Sequence, residues 1–404
     1  MNSKKELNEK YLSFLDQTKD DTHKAVNHLN DRVLIVDGLN TFIRSFAVNP
    51  ALNEDGLHIG GMVGFMKSVR YSCDILKPSR CIIVFDGKGG SKRRQKIYPE
   101  YKGTRKVKRR LNRNVDWGTA PQDEQQSMRQ QMGRLVEYLE QLPLTLVSVD
   151  GIEADDTMAY ISQQLLPESD CILMSTDKDF LQLVDDRVKV WSPTKKKLYN
   201  KQAVLEEFGL PSRNMLTYRI IDGDKSDNIN GVMGAGLKSL IKYIPQITED
   251  EDFTAMDLIN FVNNSDSKIK LLENIKKSSN LIKRNYLLMQ LNKVDIPNHT
   301  KMKIQGALNS DIPQLVKYKF QTMFLQDKLS AQIIDAMPSE YIQRLTGDPL
   351  GFERAEEILL NFYLQSEEKR EDIICDSFGF VGAETILHYL DGLELDKIPV
   401  PKQQ

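Results

Sequence analysis

The chain has 404 residues, 40% of them hydrophobic, with 55 Lys and Arg against 57 Asp and Glu and a formal net charge of −2. That length has room for two or three domains with a substantial core. No apolar run reaches the ~18 residues of a membrane-spanning helix, and the balanced charge excludes a uniformly basic nucleic-acid binder.

Taken in chain order, residues 1–30 read as a polar lead with one helix over Lys4 to Phe14 and no apolar region of a signal peptide. VLIV predicts a strand at 32–36, and Met62, Phe65, Met66 and Val69 recur at helical spacing over 61–76. CIIVF predicts a strand at 81–85, followed by a basic stretch at 88–113. Leu135, Tyr138 and Leu139 place a helix over 125–141. Strand 144–149, helix 153–166, strand 171–175, a short helix N-capped by Thr176, and strand 188–191 complete this part. Alternating strands and helices predict an α/β fold with a mostly parallel central sheet and helices on both faces. Beyond about residue 200 strand signals vanish, and helices are expected at 201–208, 212–221, 236–244, 253–262, 267–292, 311–344 and 353–390. A turn-like TGDPLG at 346–351 marks a boundary. The resulting division is a polar lead 1–30, an α/β core 31–210, a helical domain 211–345 and a C-terminal helical extension 346–404. Cys73, Cys81, Cys171 and Cys375 are far apart and read as buried, reduced thiols of an intracellular chain.

Acids cluster where strands stop. Asp37 ends VLIV in a VDG, Asp86 ends CIIVF in an FDG, EADD carries Glu153, Asp155 and Asp156, TDKD carries Asp177 and Asp179, and GDKSDN carries Asp224 and Asp227. A single Asp after a strand is usually a turn former or a helix cap. Capping needs one acid per helix, and here three or four crowd two helix starts. The carboxyl ends of the strands in an open α/β sheet share one edge, so these acids converge. Unpaired carboxylates at one place repel, and all-oxygen sites suit Mg²⁺ or Mn²⁺ rather than zinc.

The basic stretch holds 12 Lys or Arg between Lys88 and Arg113 against Glu100 alone. Tyr98 and Tyr101 interleave the charges, as in a single-strand channel where bases stack on aromatics. Lys102 and Arg105, three apart, would share a helix face, and Arg94 and Lys102 could stabilise charge on a phosphoryl transition state beside two metal ions. In GDKSDNINGVMGAGLKSLIKYI, 223–244, the Walker A spacing fails because Leu237 separates Gly236 from Lys238. What remains is helix, Gly-rich turn, helix. Gly231, Gly234 and Gly236 would let the backbone approach a DNA phosphate, with Lys238 and Lys242 facing the same strand. The lysines of 195–197 read as a tight turn. The five histidines form no cluster and receive no catalytic role.

The ordered series VDG, FDG, EADD, TDKDFLQL, GDKSDN and GVMGAG, spread over about 200 residues, resembles the 5′-nuclease superfamily of flap endonucleases and 5′-3′ exonucleases. The VDWG segment at Trp117 and VKVWSPTKKKLY at 188–199 lean toward the T-even phage ribonuclease H type. The resemblance implies a first metal held or supported by Asp37, Asp86, Glu153, Asp155 and Asp156. A second would be served by Asp177, Asp179, Asp224 and Asp227, with Arg94 and Lys102 near the scissile phosphate. It makes 88–125 an arch that threads a 5′ single strand and 223–244 a helix-three-turn-helix on duplex DNA, with a bound K⁺. It implies a two-Mg²⁺ phosphodiesterase that removes 5′ flaps and RNA primers in phage-type replication, in the cytoplasm of a bacterial host. Expected partners are branched or nicked duplex DNA, RNA–DNA primer junctions, and a single-strand binding protein or replication clamp, with the chain itself a monomer. The rival readings are a non-catalytic DNA-junction binder on the same fold and a Mg²⁺ phosphohydrolase of small substrates.

Overall fold

The computed structural model describes residues 29–103, 110–117, 121–265, 267–315 and 317–329. The expected helices at Lys4–Phe14 and 353–390, the turn at 346–351, Arg105 and Cys375 lie outside these residues.

Six strands form one sheet: β1 (Arg32–Asp37), β2 (Arg80–Asp86), β3 (Thr145–Val149), β4 (Asp170–Met174), β5 (Val188–Ser192) and β6 (Lys197–Tyr199). Their order is β3-β2-β1-β4-β5-β6. The first five run parallel and β6 is antiparallel to β5. The central strands are near-continuous Val, Ile and Leu because both faces are covered. Val33, Ile35, Ile82, Val84 and Leu173 pack on one side, and Leu34, Val36, Ile83, Ile172 and Met174 on the other.

The helices are α1 (Gly38–Val48), α2 (Gly60–Leu76), α3 (Lys92–Ile97), α4 (Pro121–Leu139), α5 (Ala154–Tyr160), α6 (Lys201–Phe208), α7 (Met215–Asp222), α8 (Leu237–Tyr243), α9 (Ala255–Asn263), α10 (Lys270–Lys277), α11 (Ser279–Met289), α12 (Asn298–Asn309) and α13 (Lys317–Gln326). Phe42 and Phe46 of α1, Met62 and Phe65 of α2, Leu135 and Tyr138 of α4 and Phe320 of α13 cover the Leu34 face. Met158 of α5, Ile220 of α7 and the helices that follow cover the Val33 face. No helix among the described residues is long and apolar enough to cross a membrane.

The elements depart from expectation in identifiable places. The expected helix 153–166 is α5 prolonged by a π turn, Ile161–Leu165. The helix after β4 is a 3₁₀ segment, Lys178–Leu183, capped by Asp177 rather than Thr176. The Thr176 hydroxyl instead donates to Asn40 Oδ1 at 2.9 Å. The single helix expected at 267–292 breaks at Ser278 into α10 and α11. Helix α12, placed after Pro297, falls where no helix was expected, and Ile304 and Leu308 bury its inner face. The tight turn at 193–196 is present, and β6 follows it. Lys195 and Lys197 both pair with Glu207, at 2.7 and 2.8 Å.

The chain passes from β3 across β1 to β4. This crossover opens a crevice at the carboxyl ends of β1 and β4, the usual ligand position in such sheets.

Candidate metal centre

Asp37 is the last residue of β1 and the N-cap of α1, accepting from the Asn40 N–H at 3.0 Å. Its second oxygen accepts from Ser175 Oγ at 3.0 Å, just beyond β4. Asp86 ends β2 and accepts from the Ala154 N–H at 2.8 Å, at the start of α5. Asp177 accepts from the Asp179 N–H at 2.8 Å. One oxygen from each of Asp177, Asp179 and Asp224 lies within 4.8 Å of the others. Asp224 comes from a two-residue strand, β7 (Gly223–Asp224), paired with β8 (Ile229–Asn230).

Electrostatics separate the acids into two groups. Glu153 and Asp156 are neutralised by the protein. Arg94 forms a fork on Asp156, with Nη1 and Nη2 at 2.8 and 2.7 Å, and also reaches Glu153. Lys102 Nζ contacts Glu153 too. Burial opposes charge on Glu153, but Arg94 and then Lys102 hold its carboxyl down at about 2. Asp37, Asp155 and Asp177 have no salt bridge among the described residues. Burial, more than any neighbour, pushes Asp37 up to about 7, with Asp86 and Asp177 adding repulsion. Burial and Asp179 push Asp177 up to about 7 as well. Asp155 is driven well above the carboxylate range by burial, then by Asp37 and Asp177.

These residues fit a hard divalent cation. Burial disfavours the charged form of all three acids, Asp37 and Asp177 add repulsion on Asp155, and every available donor atom is oxygen. Asp37, Asp155 and Asp177 would hold one ion. Asp177, Asp179 and Asp224 would hold a second.

Residues 32–209 match the family of 5′-3′ exonuclease N-terminal resolvase-like domains. A 5′-3′ exonuclease of Aquifex aeolicus is 29% identical over 212 residues, which cover 52% of this chain and 68% of that protein. DNA polymerase I of Borreliella burgdorferi is 28% identical over 233 residues, or 56% of this chain, and the match spans only 24% of that longer enzyme. The bacteriophage T5 D15 flap endonuclease, solved with DNA and metal ions, shares the fold with a TM-score of 0.53 at 23% identity, over 74% of this chain and 100% of that one. Residues 32–209 belong to this 5′-3′ exonuclease domain family.

Within this 5′-nuclease frame the basic stretch sits differently from its expected place. Arg94 is 3% exposed, and its remaining Nε donates to the Leu288 carbonyl at 2.7 Å. It braces Glu153 and Asp156 rather than offering itself to a phosphate. Tyr101, expected to stack on a base, is 2% exposed, and its hydroxyl donates to Glu153 at 3.2 Å and Asp227 at 3.0 Å. Tyr98 lies under Arg284, whose guanidinium is 4.2 Å from the ring centroid. Lys102 has φ of 57°, so it does not continue a helix toward Arg105. Its backbone N–H donates to the Asp227 carbonyl at 2.9 Å, and Asn228 Nδ2 donates to the Glu100 carbonyl at 2.9 Å. The Glu100–Lys102 segment is therefore fastened to the turn that carries Asp224 and Asp227. Trp117 packs between Phe46 and His58 in the core.

The glycines of 231–236 have separate roles. A Cβ on Gly231 would lie 2.2 Å from the Asp222 carbonyl oxygen, so the close approach it permits is to α7 and not to DNA. Gly234 has φ of 81°, whereas Gly236 has open space around it. Gly231→Ala is expected to destabilise the chain by about 1–3 kcal/mol through overpacking and to weaken duplex binding. Thermal melts and fluorescence anisotropy with a nicked duplex check this, and wild-type values in both would contradict it. Lys238 is exposed, as expected.

Sequence reasoning missed two residues. Buried Asn285 of α11 donates to the carbonyls of Ile220 and Asn230, at 2.8 Å each, and ties α7 to β8. Arg219 joins Asp179 to Asp224, with 2.7 Å to each. Its signal was a lone cation inside the apolar helix MLTYRII.

Proposed function

We propose that this chain is a structure-specific 5′-nuclease, a 5′-3′ exonuclease and flap endonuclease that hydrolyses phosphodiester bonds with two divalent ions. The observation that carries this reading is the gathering of Asp177, Asp179 and Asp224 within 4.8 Å of one another, beside Asp37 and Asp155, which have no salt bridge among the described residues, at the switch point of the sheet near Lys102. Mg²⁺ is the proposed ion and Mn²⁺ its substitute. Bound there, the ions would lower the pKa of an attacking water and offset charge on the scissile phosphate.

The chain's own residues set the rest. Asp37, Asp155, Asp177, Asp179 and Asp224 fix where the ions sit, with Asp86 and Asp227 at the margins. Glu153 and Asp156, braced by Arg94, keep the first turn of α5 in place. The Lys102 side chain, 16% exposed and paired with Glu153 beside the acids, is the cation we assign to the scissile phosphate. The turn at 231–236 and Lys238 would follow the duplex backbone, with K⁺ bound in the 223–244 unit. Contacts to phosphates dominate such a surface, so cleavage follows DNA structure, and binding weakens steeply with salt.

The proposed substrates are nicked or branched duplexes with 5′ flaps and RNA–DNA primer junctions, met during phage-type replication in a bacterial cytoplasm. A single-strand binding protein or sliding clamp is the proposed partner, and the chain would act as a monomer. A time course on a 5′-labelled flap beside an RNA-primed nick, with Mg²⁺ and with chelator, tests the reading. Metal-dependent release of short 5′ products is expected, and binding without cleavage would overturn it. Lys102→Ala is expected to slow single-turnover cleavage by about 10²-fold or more, the scale of losing one electrostatic stabiliser, while leaving Kd for the flap within a few-fold. An unchanged single-turnover rate would remove Lys102 from this role.

A further inference from the structure

We propose that Arg219 is the positioning residue that sets the distance between Asp179 and Asp224 and so shapes the second metal pocket before an ion arrives. The inference rests on the nuclease reading above and extends it to a residue that does not touch the substrate.

Asp179 and Asp224 come from separate elements, the 3₁₀ segment after β4 and the two-residue β7 after α7. Two carboxylates this close repel. Asp224 Oδ1 accepts from the Ser226 N–H and Oγ at 2.7 and 2.6 Å, bonds that fix it within its own turn but do not reach Asp179. Arg219 sits in the last turn of α7, 7% exposed as a side chain. Its Nε donates to Asp179 Oδ1 at 2.7 Å and its Nη2 to Asp224 Oδ2 at 2.7 Å. Its Nη1 donates to the Gly223 carbonyl at 3.2 Å and lies 3.6 Å from Asp222 Oδ2. The planar fork is thus anchored to the turn that launches Asp224 and holds both acids at once. Among the described residues no other side chain joins these two acids.

A guanidinium is suited to this because its donors are fixed in one plane, whereas an ammonium has a single mobile centre. Its charge opposes a divalent ion next to it, so retaining it makes sense only if preorganisation outweighs repulsion. Arg219→Lys keeps the charge but loses the geometry, and should fail like Arg219→Met. If charge alone mattered, Arg219→Lys would resemble wild type and Arg219→Met would bind metal more tightly.

The test titrates Mn²⁺ alone into wild type, Arg219→Lys and Arg219→Met, read by electron paramagnetic resonance, beside cleavage of a 5′ flap and a thermal melt. Removing a group that orients metal ligands typically costs 10–100-fold in affinity or activity. The expected result is a loss of about 10-fold or more in Mn²⁺ affinity at one class of site in both variants. kcat should fall by a similar factor, with KM for DNA within a few-fold, and raised Mn²⁺ should restore part of the rate. Wild-type Mn²⁺ binding in both variants would overturn the proposal. So would a rise in affinity in Arg219→Met, or loss of metal and DNA binding together with a collapsed melt in both variants. Failure of the wild-type chain to cleave any 5′ end would instead overturn the nuclease reading and leave the Mn²⁺ result standing by itself.

Discussion

Asp155→Asn is expected to slow cleavage of a 5′ flap by about 10²–10³-fold while raising the melting temperature of the metal-free chain at pH 8. Both effects have one cause. Burial, then the neighbouring Asp37 and Asp177, drive the Asp155 carboxyl well above the ordinary range. At pH 8 without metal its ionised form is strained by repulsion, and the amide removes that repulsion at almost constant volume. With metal, the same substitution removes an anionic ligand. A loss on the order of 10²–10³-fold in single-turnover rate is the scale of deleting one electrostatic stabiliser. The gain in melting temperature should be about 1 °C or more, since at about 2.1 cal/mol/K per residue 1 kcal/mol shifts a chain of this length by roughly 1 °C. Duplex binding should survive, because the 231–238 surface is untouched. A variant that cleaves at the wild-type rate in ordinary Mg²⁺, or that melts lower than wild type without metal, would contradict the assignment.

The second large effect is on pH and metal together. Asp37 and Asp177 are each raised from 3.8 to about 7 by burial and nearby acids. A raised carboxyl means the folded chain holds protons that the unfolded chain has released. Stability from these groups is therefore fully present below about pH 4 and is lost as pH climbs to about 7. A tenfold difference in proton affinity between the folded and unfolded chain is worth about 1.4 kcal/mol, so the loss from each group is on the order of a few kcal/mol. Divalent cation should return it where the acids are ionised. The expected result is a Mg²⁺-induced rise in melting temperature that is large at pH 8 and nearly absent at pH 5. Glu153, held down at about 2, titrates below this window and leaves it clear. An equal Mg²⁺ effect at both pH values would mean that these acids do not take up the ion.

Much of this was legible in the chain itself. Runs such as VLIV and CIIVF can be buried on both faces only in a parallel sheet, and an acid at the end of each run can only fall on one edge. That logic placed Asp37, Asp86, Asp177 and Asp179 together. The same reading set the EADD and GDKSDN acids beside them, and the family resemblance assigned Asp155 and Asp224 to metal ions. What stayed hidden depends on distances between segments far apart in sequence. Arg94 and Tyr101 looked like exposed DNA contacts because their neighbours are charged. They are buried because Glu153 and Asp156, some 50–60 positions away, supply the acceptors. Gly231 looked like a phosphate contact, yet its tight neighbour is the backbone of Asp222. Helix α12 was missed because its apolar face is narrow, with only Thr300, Ile304 and Leu308 buried.

Whether the converging acids are a two-ion pocket is settled most plainly by anomalous diffraction from crystals of the full chain soaked in Mn²⁺. One Mn²⁺ is expected among Asp37, Asp155 and Asp177 and another among Asp177, Asp179 and Asp224. Manganese found only elsewhere, or none at these acids while they remain ionised, would contradict the two-ion assignment.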